Sequence, residues 1–265
     1  MYRQQILAAM CWTVILPMLA ILLFEKGTIT FYIAIAACGI ICIWLMQLLA
    51  RFYKIQFPEK GLQFDVYKKH LFPAIKILLT LFACNFSYFK IEPDQEAMIT
   101  GVFIFSGLVM AFAWEFSFRF YIQIHLFRLR PQILQVVLFN AGLYALCHGL
   151  AFAQLQMDVY GVVNLFIFDY VVGVLLSSLY VMTKSLLFVG VFNFLISFPI
   201  YTALYRQVGV TWEEQLSGWT IEHSLSGSLF FCLYISPLII ISFYYLWKVS
   251  GPNGIRTSIF ERRIG

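Results

Sequence analysis

The sequence predicts an all-α integral membrane protein, an eight-span helical bundle with a polar site built by spans four to seven. Composition is the first observation behind this. Of the 265 residues, 62% are hydrophobic and 12% charged, against about half and about a quarter in soluble domains. The second is a series of apolar runs, each long enough to cross roughly 30 Å of hydrocarbon. The third is the alternation of basic and acidic loops between those runs, which predicts an orientation.

The runs fall at about 6–24, 29–50, 71–90, 100–124, 133–156, 160–183, 185–205 and 227–248. The first follows Arg3, is too long for a typical signal-peptide core and has no small-x-small cleavage pattern behind it, so it is read as a retained span. Spans five to seven are joined by very short loops and should pack as antiparallel neighbours. There is no internal repeat, low-complexity tract or soluble domain in the pattern. Residues 1–265 are therefore expected to form one polytopic membrane domain with a cytoplasmic tail over about 249–265. The 28 phenylalanines within an 18% aromatic content suit a surface facing lipid.

Charge placement predicts the topology. Arg51, Lys54, Lys60, Lys68 and Lys69 follow span two, Arg128 and Arg130 span four, Lys184 span six, and Lys248, Arg256, Arg262 and Arg263 span eight. With Arg3 these make 13 basic residues on one side, against Lys26, Lys90 and Arg206, which make 3 on the other. The alternate loops are acidic, holding Glu25, Glu92, Asp94, Glu96, Glu213, Glu214 and Glu222. Both termini are expected in the cytoplasm, in the cell membrane, with an even number of spans. The +5 net charge thus reflects cytoplasmic loops, and no nucleic-acid partner is expected. All six cysteines lie inside apolar stretches, as small buried hydrophobes rather than as a disulfide or zinc framework.

Against this background, polar residues within the runs stand out, because a charge at a helix centre costs roughly 2.5–3.5 kcal/mol to insert. Glu115 and Arg119 in span four are four residues apart and share a helical face. They form either a structural ion pair or part of a site. His148 lies in the adjacent antiparallel span at similar depth. A carboxylate and an imidazole that meet there can share a water and perform general acid–base chemistry, with Glu115 taking the proton and His148 orienting the water or donating a proton later. Asp169 in span six is expected to partner His148 or Arg119, or to join a helix–helix network with Asn164. Asn193 in span seven serves either packing or a developing oxyanion. Glu115, His148 and Asp169 include suitable metal ligands, but only one imidazole sits at depth, since His70, His125 and His223 fall in loops or at span ends. No cofactor is expected, and a divalent metal at those three residues stays open. Serine chemistry lacks a Gly-x-Ser-x-Gly, and adjacent Cys147 and His148 point about 100° apart on a helix.

Taken together, Trp114-Glu115-Phe116-Ser117-Phe118-Arg119, then Tyr144-Ala145-Leu146-Cys147-His148, then the apolar span ending Thr183-Lys184-Ser185-Leu186 resemble the CAAX-protease and bacteriocin-processing (CPBP) family of intramembrane endopeptidases. The resemblance covers roughly residues 100–200. The family's first motif is usually Glu-Glu-x-x-x-Arg, its second Phe-x-x-x-His, and its apolar span ends in Thr-Gly-Ser-Leu. It implies a glutamate-dependent peptidase acting on a membrane-associated protein or peptide, with Glu115 and His148 activating water and span-seven residues steadying the oxyanion. Arg119, Asp169, Trp114 and Ser197 would support them. Two departures stand out: Trp114 replaces the first Glu, and the span-seven His-x-x-x-Asn/Asp reads Asn193-Phe194-Leu195-Ile196-Ser197. An inactive relative acting as an immunity or scaffold protein is therefore the alternative. A proton-coupled transporter is a third, although no inverted-repeat symmetry supports it. Membrane lipids are the expected surroundings, and the oligomeric state and substrate identity are left open.

Overall fold

The computed structural model describes residues 2–24, 28–53, 97–129, 132–152, 159–205 and 235–251. Among these residues every regular element is a helix. In chain order they are α1 (Tyr2–Leu23), α2 (Ile29–Phe52), α3 (Ala97–Glu115), a π-helical segment (Phe116–Ile122), α4 (Gln123–Leu129), α5 (Ile133–Phe152), α6 (Val159–Thr183), α7 (Leu186–Tyr205) and α8 (Ser236–Ser250). Five stretches are long and apolar enough to cross a membrane: Gln4–Leu23, Ile29–Phe52, Gly101–Leu129, Ile133–Leu150 and Val162–Thr183. A shorter apolar stretch, Leu186–Ile196, lies in α7. The expected third span at 71–90, the first part of the eighth, the acidic loop near Trp212 and the tail beyond Gly251 lie outside the described residues.

Local chemistry explains several helix ends. Thr28 caps α2, its hydroxyl oxygen accepting from the Phe31 N–H at 3.2 Å, which satisfies one of the donors orphaned at a helix start. Pro237 stands in the first turn of α8, where a missing N–H costs nothing. Between α6 and α7, Lys184 takes the left-handed conformation with φ 54°, and its N–H closes on the Tyr180 carbonyl at 2.9 Å. Glycine normally fills such a position, and Lys184 stands where the Thr-Gly-Ser-Leu pattern has its glycine. Burial at this junction pushes the Lys184 ammonium down from 10.5 to about 7. Ser185 then opens α7, accepting from the Phe188 N–H at 3.2 Å.

Packing assembles these helices around the middle of the chain. α5 lies along α6, α2 and α7 lie along α3, α8 lies along α6, and α1 touches α2 and α5. Two glycines permit close approaches beside the site. A Cβ on Gly173 of α6 would stand 3.0 Å from the Ala141 Cα of α5, and one on Gly190 of α7 would stand 2.6 Å from the Phe112 ring of α3. The buried aromatic core at this centre includes Trp114, Phe118, Phe120, Tyr121, Tyr144 and Tyr180. Outward-facing Leu7, Ile33, Trp44, Phe139, Ile240 and Trp247 are exposed, as expected of helices whose outer faces meet lipid rather than water.

The helix at the expected fourth span departs from the sequence expectation in two ways. It runs on to Leu129 instead of ending near 124, so His125 is fully buried within a helix rather than placed at a loop. Its middle also widens. The Gln123 N–H reaches back to the Phe118 carbonyl, five residues earlier, which is the π-helical bond.

Candidate functional site

Glu115 is the last residue before the π segment and Arg119 lies inside it, both with no exposed surface. The Glu115 Oε2 lies 3.2 Å from the Arg119 Nε. On the other side of the carboxylate, the Asn193 Nδ2 of α7 donates to Glu115 Oε1 at 2.9 Å. Gly190 sits one helical turn before Asn193, and its lack of a side chain is what lets α7 reach α3 at this depth. The Asn193 Oδ1 in turn accepts from the Tyr144 hydroxyl of α5 at 3.4 Å. Tyr144 therefore joins α5 and α7 to Glu115.

The same Tyr144 ring carries two further contacts. The Arg119 guanidinium stands 4.7 Å from its centroid, a cation–π arrangement that strengthens when desolvated. The His148 ring stacks on it at 4.6 Å. The Trp114 ring meets His148 edge-on at 4.1 Å, so the first position of the expected acidic pair holds an aromatic wall for the imidazole. The His148 Nδ1 lies 3.2 Å from the Asp169 Oδ1 of α6. Of the partners open to Asp169, the structure thus gives it His148. The Asn164 Oδ1 has no hydrogen-bond partner.

A second group of polar residues extends the site one turn further along the same helices. With the Asn140 amide oriented to satisfy its neighbours, its Oδ1 accepts from Arg119 Nη1 and Ser177 Oγ, each at 3.1 Å, and its Nδ2 donates to the Phe118 carbonyl at 3.2 Å. The Gln123 Nε2 donates to the Ser177 carbonyl at 3.3 Å. All three side chains are completely buried. Asn140, Gln123 and Ser177 were not expected from the sequence, yet the spacing carried a signal. Glu115, Arg119 and Gln123 recur every fourth residue on one helix, Asn140, Tyr144 and His148 on the next, and Asp169, Gly173 and Ser177 on a third. Three such stripes can face one another in an antiparallel bundle.

The structure therefore joins Glu115, Arg119, Tyr144, His148, Asn193, Trp114 and Asp169 in one buried cluster. Ser197 lies one helical turn beyond Asn193 in α7, and its side chain is outside the described residues. Glu115, His148 and Asp169 do not form a three-ligand set: among the described residues no group of three or more His, Cys, Asp or Glu comes together to hold a metal. Cys11, Cys38, Cys42 and Cys147 are free thiols. His125 belongs to a separate contact, its ring nitrogens meeting the Tyr121 carbonyl at 3.1 Å and the Gln5 side-chain oxygen of α1.

Fold and site together define a class: an all-helical protein with several apolar helices suited to a membrane and a buried acid–base cluster between them. Comparisons with protein-family models, with curated proteins and with solved structures returned no match.

Proposed function

We propose that this chain is an eight-span cell-membrane endopeptidase with both termini in the cytoplasm, resembling the CPBP type and hydrolysing a peptide bond of a membrane-associated protein or peptide. The observation that carries this reading is the chain of contacts from Arg119 through Glu115 and Asn193 to Tyr144 and His148. It gathers, from spans four, five and seven, the three residues assigned to catalysis. Glu115 accepts the proton of an attacking water, and His148 either orients that water or supplies a proton. Asn193 holds Glu115 through its amide N–H, and an amide side chain is the type of donor that can steady an oxyanion, the role assigned to it here. Trp114 and Tyr144 wall the imidazole, and the burial of the cluster favours acid–base chemistry in a low-dielectric setting.

The test is processing of a co-expressed membrane substrate by Glu115→Ala and His148→Ala variants. Each should abolish processing while the protein remains in the membrane, and normal processing in both would remove the peptidase reading.

One observation favours a second reading. Glu115 is held on both sides, by Asn193 and Arg119, as a structural ion pair would be. A membrane immunity or scaffold protein with this arrangement keeps its phenotype in Glu115→Gln, which preserves hydrogen bonding, whereas a peptidase loses it.

A further inference from the structure

We infer that Asp169 is a positioning residue that holds the His148 imidazole with its proton on Nδ1, leaving the Nε2 lone pair as the working end of the ring. Three contacts support this. The Asp169 Oδ1 faces His148 Nδ1 at 3.2 Å, and an ionised carboxylate can only accept, so Nδ1 must be the donor. The ring cannot readily turn away, because Trp114 meets it edge-on at 4.1 Å with the planes at 77°, and Tyr144 stacks on it at 4.6 Å with the planes at 27°. Gly173, one turn after Asp169, lets α6 approach α5 at Ala141, which brings a side chain as short as aspartate within reach of the imidazole. Such carboxylate–imidazole pairs set which ring nitrogen is available for chemistry.

The consequence rests on the endopeptidase reading and decides between the two roles it leaves to His148. With the lone pair at Nε2, the ring accepts a hydrogen bond from the attacking water and orients it. Glu115 takes the water proton as the carbon–oxygen bond forms. When the carbon–nitrogen bond breaks, Glu115 returns that proton to the leaving amine. An imidazole protonated at Nε2 would donate instead and could not orient the water in this way.

The experiment is nitrogen NMR of the full chain in lipid nanodiscs with ¹⁵N-labelled histidine. The chain has 4 histidines, and His148 is assigned by loss of its signal in His148→Gln. Spectra are taken at the alkaline end of the titration, where the ring is neutral. The expected wild-type ring carries its proton on Nδ1, Asp169→Glu keeps it there, and Asp169→Asn moves it to Nε2 or mixes the two forms. A wild-type ring protonated on Nε2, or an unchanged ring in Asp169→Asn, overturns the inference. In the processing assay Asp169→Asn should lower kcat at least about 100-fold with little change in KM, in the direction known for wrong-tautomer variants of Asp–His pairs. The two readings fail separately. A wild-type protein without peptidase activity removes the reaction, while the NMR result still decides the Asp169–His148 pair.

Discussion

A carboxylate and a guanidinium with no exposed surface stabilise the fold only as a pair, because either alone is an uncompensated buried charge. Arg119→Leu should therefore cost about 3–5 kcal/mol, and the double variant Glu115→Leu/Arg119→Leu should recover most of that loss. Unfolding in a denaturing-detergent titration measures both, and a double variant no more stable than Arg119→Leu would contradict the pairing. Asn193→Ala leaves Glu115 Oε1 without its 2.9 Å donor and should cost about 1–3 kcal/mol in the same assay. At this scale the sequence was informative where a residue was out of place. Glu115, Arg119, His148, Asp169 and Asn193 all stood out because a polar group in an apolar run needs a reason. Which partner each would take was not legible, since Asp169 had three candidates and only the α5–α6 contact selects His148. Asn140 and Gln123 stayed hidden because each, taken singly, is an unremarkable neutral amide, and only the fourfold spacing of several such residues marks a shared face.

Helices meet where side chains permit, so glycine substitutions test the element contacts. Gly190→Ala pushes a Cβ to within 2.6 Å of the Phe112 ring, and the overpacking should cost about 1–3 kcal/mol while separating Asn193 from Glu115. Gly101→Ala is the control: nothing lies within 4 Å of its added Cβ, and alanine is the better helix former. It should match or exceed the wild type in stability. Equal losses in the two variants would mean that α3 and α7 do not pack as described. The junction of α6 and α7 makes another prediction. Lys184→Gly removes the left-handed strain at φ 54° and should add about 1 kcal/mol. It should also remove a pH dependence. The lysine titrates near 7 when folded and near 10.5 otherwise, so between those values the unfolded chain binds more protons and wild-type stability rises with pH. A Lys184→Gly protein with the same slope over that interval would show that the ammonium is not buried. Helix positions were legible from run length, and Thr28 and Ser185 are ordinary capping residues. The π segment had no sequence signature, because a widened turn reflects the competition of several backbone bonds and the packing around them rather than any one residue.

For the whole molecule, the basic loops make a topology prediction that needs no knowledge of chemistry. Single cysteines placed at Lys60 and at the C-terminal tail of a cysteine-free variant should react with an impermeant maleimide only after the membrane is opened, whereas one placed at Gln215 should react in intact cells. Reaction of the tail and the Lys60 position from opposite sides would break the even span number. The helical class and the apolar spans were readable because hydrocarbon thickness sets helix length and leaves few other solutions for the backbone. Five of the expected eight runs are matched by helices long enough to cross; α7 covers the seventh with a shorter apolar stretch, α8 covers part of the eighth, and the third lies outside the described residues.

The widened turn between Glu115 and Gln123 has a consequence for how this chain tolerates insertions and deletions. Each bond spanning five residues encloses one residue more than an α-helical turn, so the stretch Phe116–Ile122 holds a surplus that a regular helix would lack. Deleting one residue there lets ordinary α-helix close across the gap, with the faces of α3 and α4 kept in their present directions. The same deletion elsewhere in the span would swing everything beyond it by about 100°. A protein shortened by Phe116 is therefore expected to remain folded in the membrane yet lose the Glu115–Arg119 register. Segment length here is a dial for the site that leaves the scaffold alone.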